Sequence, residues 1–104
     1  MFYHVTAQLR TEMAGDLRRA LLDDTIRNQK PDGQEMVDSL MRAVVTTDGA
    51  VEWSEVCYCE PPLAHERQTV LDRFFDEIST RRVDGYQEHR GRRSVEYLDE
   101  LASG

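Results

Sequence analysis

The stretch from Ala50 to Ile78, AVEWSEVCYCEPPLAHERQTVLDRFFDEI, decides the fold, because its period changes once and two prolines stand where it changes. Val51, Trp53, Val56 and Tyr58 are aromatic or β-branched and follow the turn signal Asp48-Gly49, so Ala50 to Cys59 reads as a β-strand. Pro61 and Pro62 end it: neither can donate to a sheet ladder, and each turns the preceding residue away from helical dihedrals. From about Pro62 or Leu63 the period is helical. Val70, Leu71, Phe74, Phe75 and Ile78 recur at the spacing of one helix face, with Arg67, Asp72, Arg73, Asp76 and Glu77 mostly off it. Burying each large apolar side chain is worth roughly 1.5–3 kcal/mol, so this stripe is expected to supply much of the core.

Working outward, Phe2 to Leu9 alternates as a first strand, with Tyr3, Val5, Ala7 and Leu9 facing the core and Phe2, His4, Thr6 and Gln8 on the other face. Thr11 is a candidate cap for a helix striped with Met13, Leu17, Ala20, Leu21 and Ile26. The helical region is broken near Pro31, after which Asp32 and Glu35 have the spacing of a capping box before Met36, Val37, Leu40 and Met41. Arg42 to Thr47, Asp48-Gly49 and Ala50 onward form a hairpin. Val83 to His89 reads as a last strand, and Ser94 as the cap of a short helix carrying Val95, Leu98 and Leu101. Val51 and Trp53 share parity with Glu55, whereas Val56 and Tyr58 have the opposite one. The face taken by Trp53 therefore stays open, and a bulge near Glu55 would reconcile the two sets.

The order β-α-β-β-α-β with a trailing helix is the split βαβ, or ferredoxin-like, arrangement of an α+β protein. Residues 1–104 suit one domain. With 39% hydrophobic and 32% charged residues the composition is that of a globular protein, and no window approaches the ~18 apolar residues of a membrane helix. The first residues lack the pattern of a signal peptide, so a cytoplasmic location is expected. The net charge of −7 argues against general affinity for nucleic acid or anionic membrane. Only Arg81 to Arg93, with five arginines against Asp84 and Glu88, runs the other way.

MFYHVTAQL at residues 1–9 and RVDGY at residues 82–86 resemble the corresponding strands of the muconolactone isomerase and dimeric α/β-barrel proteins. That resemblance implies a ferredoxin-like oligomer holding a small organic substrate between sheet and helices, and it transfers no catalytic residue. CYCEPPLAHER, residues 57–67, is similar to a stretch found in a bacterial, cyanobacterial family, which implies nothing about chemistry.

Candidate chemistry is sparse. Cys57, Cys59 and His65 form C-x-C-x5-H, which would need His4 or His89 as a fourth ligand; since structural zinc favours C-x2-C pairs, no metal is expected and the thiols read as small hydrophobes. Cys59, just ahead of a helix N-terminus, is a candidate nucleophile, and His65 and His4 are candidate proton carriers. Tyr3 and Trp53 are candidates to line an apolar pocket. Arg90, Arg92 and Arg93, in the run HRGRR, are candidates to hold a phosphate or an acidic surface. The expected function is a binding or regulatory module acting through protein–protein contact, as a homodimer and without a cofactor. The alternative is a small-molecule enzyme of the dimeric α/β-barrel kind. Cys57 and Cys59, two apart on one strand, have parallel side chains that bridge poorly. Native mass spectrometry should therefore find two free thiols and no bound zinc; a mass two units low, or a zinc adduct, would contradict this.

Overall fold

Alternation in β1 (Phe2–Leu9) buries Val5 and Ala7 and half-buries Tyr3 and Leu9, as the sequence predicts. In the computed structural model, which describes residues 1–103, β1 is flanked on both sides. After a 3-10 turn over Thr11–Met13 come α1 (Ala14–Leu22), α2 (Gly33–Arg42), the two-residue β2 (Val44–Val45) and β3 (Ala50–Val56). A third helix, α3, runs through Ala64–Glu66, a π-wound turn at Arg67–Leu71 and Asp72–Phe74. It passes directly into β4 (Phe75–Val83); β5 (Arg92–Arg93) and α4 (Ser94–Ser103) complete the chain. The result is an α+β fold with a five-stranded antiparallel sheet, in the order β4-β1-β3-β2-β5, and four helices.

The face of Trp53 is settled by an unbroken register from Phe2↔Val56 to Gln8↔Ala50. Val51, Trp53 and Glu55 all point into the core, so the bulge expected near Glu55 does not occur. The bulge lies in β4 instead, where the partners jump from Thr6↔Ser79 to Gln8↔Asp76 and Glu77 takes a left-handed φ of 53°. Helices contribute Leu17 and Leu21 of α1, Met36, Val37 and Leu40 of α2, Val70, Leu71 and Phe74 of α3, and Leu98 of α4 to the same core.

Three expectations are corrected. The helical stripe ends at Phe74: Phe75 and Ile78 belong to β4, since Phe75 to Val83 gains a full ladder with β1, which outweighs local periodicity. The last long strand is thus Phe75–Val83 and not Val83 to His89, and the latter stretch crosses the sheet as an irregular strap. The caps also differ. Thr11 and Asp32 make no capping hydrogen bond; Asp32 is engaged by His65 and Glu35 by Val56, while Ser94 donates to the carbonyl of Leu40 at 3.0 Å.

The break near Pro31 is present, and Gly33 is needed there: a Cβ would meet the Ile26 carbonyl oxygen at 2.1 Å. The hairpin turn is also present, with Gly49 at φ 89° donating to the Thr46 carbonyl. Phe74 and Phe75, one from α3 and one from β4, are both buried, and Phe75 packs on Trp53 with ring centroids 5.3 Å apart. Phe74→Ala or Phe75→Ala should each cost about 3–5 kcal/mol in chemical denaturation. Parent-like midpoints for both would contradict the packing.

Candidate functional site

The junction between β3 and α3 concentrates the unusual features of the molecule. Leu63, wholly buried, sits in the left-handed region at φ 63°, a conformation costly for a branched side chain and characteristic of functional sites. Four residues later α3 widens into the π turn at Arg67–Leu71, another feature frequent at such sites. Between them lies Glu66, 0% exposed, and beside it Glu55 of β3, 1% exposed. Trp53 Nε1 donates to Glu55 Oε1 at 2.6 Å, while Glu55 Oε2 and both oxygens of Glu66 have no hydrogen-bond partner.

Two ionised carboxylates cannot share so dry a site. Burial, then the neighbouring Glu55, Cys57 and Asp32, push Glu66 up to about 12. Burial also raises Glu55, though its contacts with Glu66 and Trp53 work against the rise. The pair therefore holds a proton at neutral pH, and Glu66 is its main carrier.

At the edge of this pair the His65 imidazole contacts Asp32, with Nδ1 2.8 Å from Oδ2, and the Cys59 N–H donates to Cys57 Sγ at 3.2 Å. The His65 backbone amide lowers the Cys59 thiol, yet burial, Cys57 and Asp32 outweigh it and the thiol is raised overall. A raised thiol is the reverse of the lowering that a helix N-terminus gives. Cys57 and Cys59 are both free, and with His65 they are not gathered into a group able to hold a metal ion.

The opposite face of the sheet carries a second polar cluster. Because β2 is only two residues long, the far half of β3 lacks a strand on that side, and α2 serves its edge with side chains. Glu35 Oε2 accepts from the Val56 N–H at 2.8 Å, and Arg42 Nη2 donates to the Ser54 carbonyl at 3.4 Å. The strap after β4 then lies over this face: Tyr86 meets Phe2 edge-on at 5.1 Å and donates to Glu35 Oε2 at 2.8 Å. His89 stacks on His4 at 5.0 Å, with Nε2 2.6 Å from Ser54 Oγ. Arg81 donates to His4 Nδ1 at 3.1 Å, which leaves Nε2–H to donate to Glu52. Burial, and next His4, lower the pKa of His89 despite Glu52, which favours its neutral form beside the Ser54 hydroxyl.

The sequence-predicted residues thus divide between two faces. Tyr3, opposite Glu55 in the register, falls with Trp53, Cys59 and His65 on the helix side; His4 falls on the other. The arginines separate as well. Arg92 pairs with Glu100 and borders a cleft beside β2, Arg93 donates to the Met41 carbonyl at 3.3 Å, and Arg90 borders both that cleft and a second one beside His89. Glu55, Ser54 and Tyr86 were not singled out from sequence, and Glu66, whose place in the first helical turn suits a solvated partner of the helix dipole, is instead fully buried. Glu55 had a legible signal, a carboxyl at the same parity as Val51 and Trp53. Comparison with protein-family models, with curated proteins and with solved structures gives no match.

The buried pair makes stability depend on pH. An unfolded chain releases the Glu66 proton near 4.5, whereas the folded chain keeps it to about 12. Between those values the folded state holds a proton that the unfolded state lacks, so this stabilisation is full below the ordinary carboxyl range and is lost as pH rises. Unfolding free energy should fall by up to about 1.4 kcal/mol per pH unit above neutrality. Glu66→Gln, neutral at every pH, should remove most of that slope in denaturant titrations. Parallel profiles for parent and variant would contradict a shared proton.

Proposed function

We propose that the chain is a ferredoxin-like binding module that works as a homodimer through contact with other proteins and carries out no chemistry of its own. The strand order β4-β1-β3-β2 supports the ferredoxin-like reading, with β5 as an addition at the far edge. Phe2 and Trp53 form no apolar patch that could drive association: Trp53 is buried and Phe2 is packed against Tyr86. The observation that carries the dimer is the free edge of β4. It is nine residues long and unpaired on its outer side, with its acidic residues Asp76 and Glu77 at one end and its basic residues Arg81 and Arg82 at the other.

Charge on an edge strand commonly keeps it from pairing. Here the two signs are segregated, which makes the strand complementary to a second copy of itself under a two-fold axis. Set antiparallel about Ser79, two copies bring Asp76 of each beside Arg81 of the other. Both side chains lie on the outer face, because the bulge at Glu77 absorbs the odd residue. Asp76 keeps its ion pair with Arg10 in this arrangement, and Glu77, Arg81 and Arg82 have no intrachain ion pair among the described residues.

A second reading, a small-molecule enzyme of the dimeric α/β-barrel kind, is favoured by the proton-holding pair of Glu55 and Glu66 beside Tyr3 and Trp53. Its substrate would have to open a site in which Trp53, Glu55 and Glu66 are at most 1% exposed. Thermal-shift screening with small aromatic and carboxylate ligands separates the readings: a stabilising ligand whose effect is lost in Glu66→Gln would favour the enzyme.

Light scattering at micromolar concentration should give twice the 12.1 kDa chain mass. Asp76→Arg and Arg81→Asp should each weaken the dimer, and the double reversal should restore it. A monomeric parent, or a double variant no better than the singles, would contradict pairing through β4.

A further inference from the structure

We propose that the cleft between the C-terminal end of α2 and the strap residues Gln87 to Arg90 binds a small oxyanion, the carboxylate or phosphate group of a soluble ligand. This site does not depend on whether the chain dimerises. The cleft encloses about 310 Å³ and is lined by Arg42, Ser54, Gln87, Glu88, His89 and Arg90. In a chain with 20 acidic residues, the guanidinium groups of Arg42 and Arg90 have no carboxylate partner among the described residues.

Arg42 is already positioned. Its guanidinium lies 4.8 Å from the centre of the Tyr86 ring, and its hydrogen bonds to Ser39 Oγ and the Ser54 carbonyl both leave from Nη2. Nη1 and Nε stay free, and a guanidinium fork fits carboxylate and phosphate oxygens in pairs. Arg90 supplies a second, exposed fork across the cleft lining.

Between the arginines the Ser54 hydroxyl oxygen accepts the Gln87 N–H at 3.2 Å and lies 2.6 Å from His89 Nε2. The strap is thereby tied to β3 beside the two guanidinium groups. Glu88 in the same lining opposes an anion, as does the net charge of −7. Retention of an anion by this protein must then come from local donors and not from a general positive field.

The test is a titration of the full 15N-labelled chain with sodium phosphate and, separately, with sodium citrate, at constant ionic strength held by chloride. The amides of Gln87, His89 and Arg90 should shift and saturate with at least one of them. Saturation by phosphate alone assigns a phosphate ligand, and saturation by citrate alone a carboxylate. Arg90→Gln, at an exposed position, should weaken the binding about tenfold or more, and Glu88→Gln should tighten it. Shifts that grow linearly with both salts, or a saturation unaltered in Arg90→Gln, would overturn the proposal.

Discussion

Pairing of β1 along both of its edges is the constraint from which the rest of the structure follows. With β3 on one side and β4 on the other, nearly every backbone group of Phe2 to Leu9 is committed to the sheet. Its alternation then determines which face of each neighbour is buried. Val5 opposes Trp53 and Thr80, so Trp53 goes to the core whatever its preference. Gln8 opposes Asp76 and Thr6 opposes Ser79, and the extra residue between them is expelled as the bulge at Glu77. The segment from Phe75 is extended because β1 needs a partner there, although its own pattern of apolar residues suits a helix.

The same arrangement creates the two polar clusters. Carrying the core parity of β3 beyond Trp53 forces Glu55 inward, where α3 brings Glu66 against it. A carboxyl pair in that position is tolerable only with a proton held on Glu66, so the cost of burial becomes a dependence of stability on pH. On the opposite face the shortness of β2 leaves β3 with unpaired backbone groups. Glu35 and Arg42 of α2 satisfy them, and the same two side chains hold Tyr86 of the strap. Helix, sheet edge and strap are thus joined through a few charge-assisted hydrogen bonds.

Much of this was legible in the sequence. The alternation of Tyr3, Val5, Ala7 and Leu9, the interruption at Pro31, the Asp48-Gly49 turn and the burial of Phe74 and Phe75 follow from period and turn chemistry. What was not legible depended on non-local pairing. Phe75 and Ile78 satisfy a helical stripe and a strand equally, and only the ladder with β1 decides between them. Asp32 and Glu35 have the spacing of a capping box, yet both find stronger partners, His65 and the Val56 amide, far away in sequence. Of the site residues, Cys59, His65 and His4 attracted attention for their chemistry in isolation. The buried Glu55 and Glu66, and the contact of Ser54 with His89, arise only from the register and from the path of the strap.

Hydrogen exchange along β4 tests the central claim most directly, since a strand bonded on one side and a strand bonded on both differ amide by amide. If the proposed dimer forms, slow exchange is expected on both edges from Ile78 to Val83 at high concentration, with the edge away from β1 losing its protection on dilution. Protection confined at every concentration to the alternate amides that face β1 would contradict a second copy on that edge.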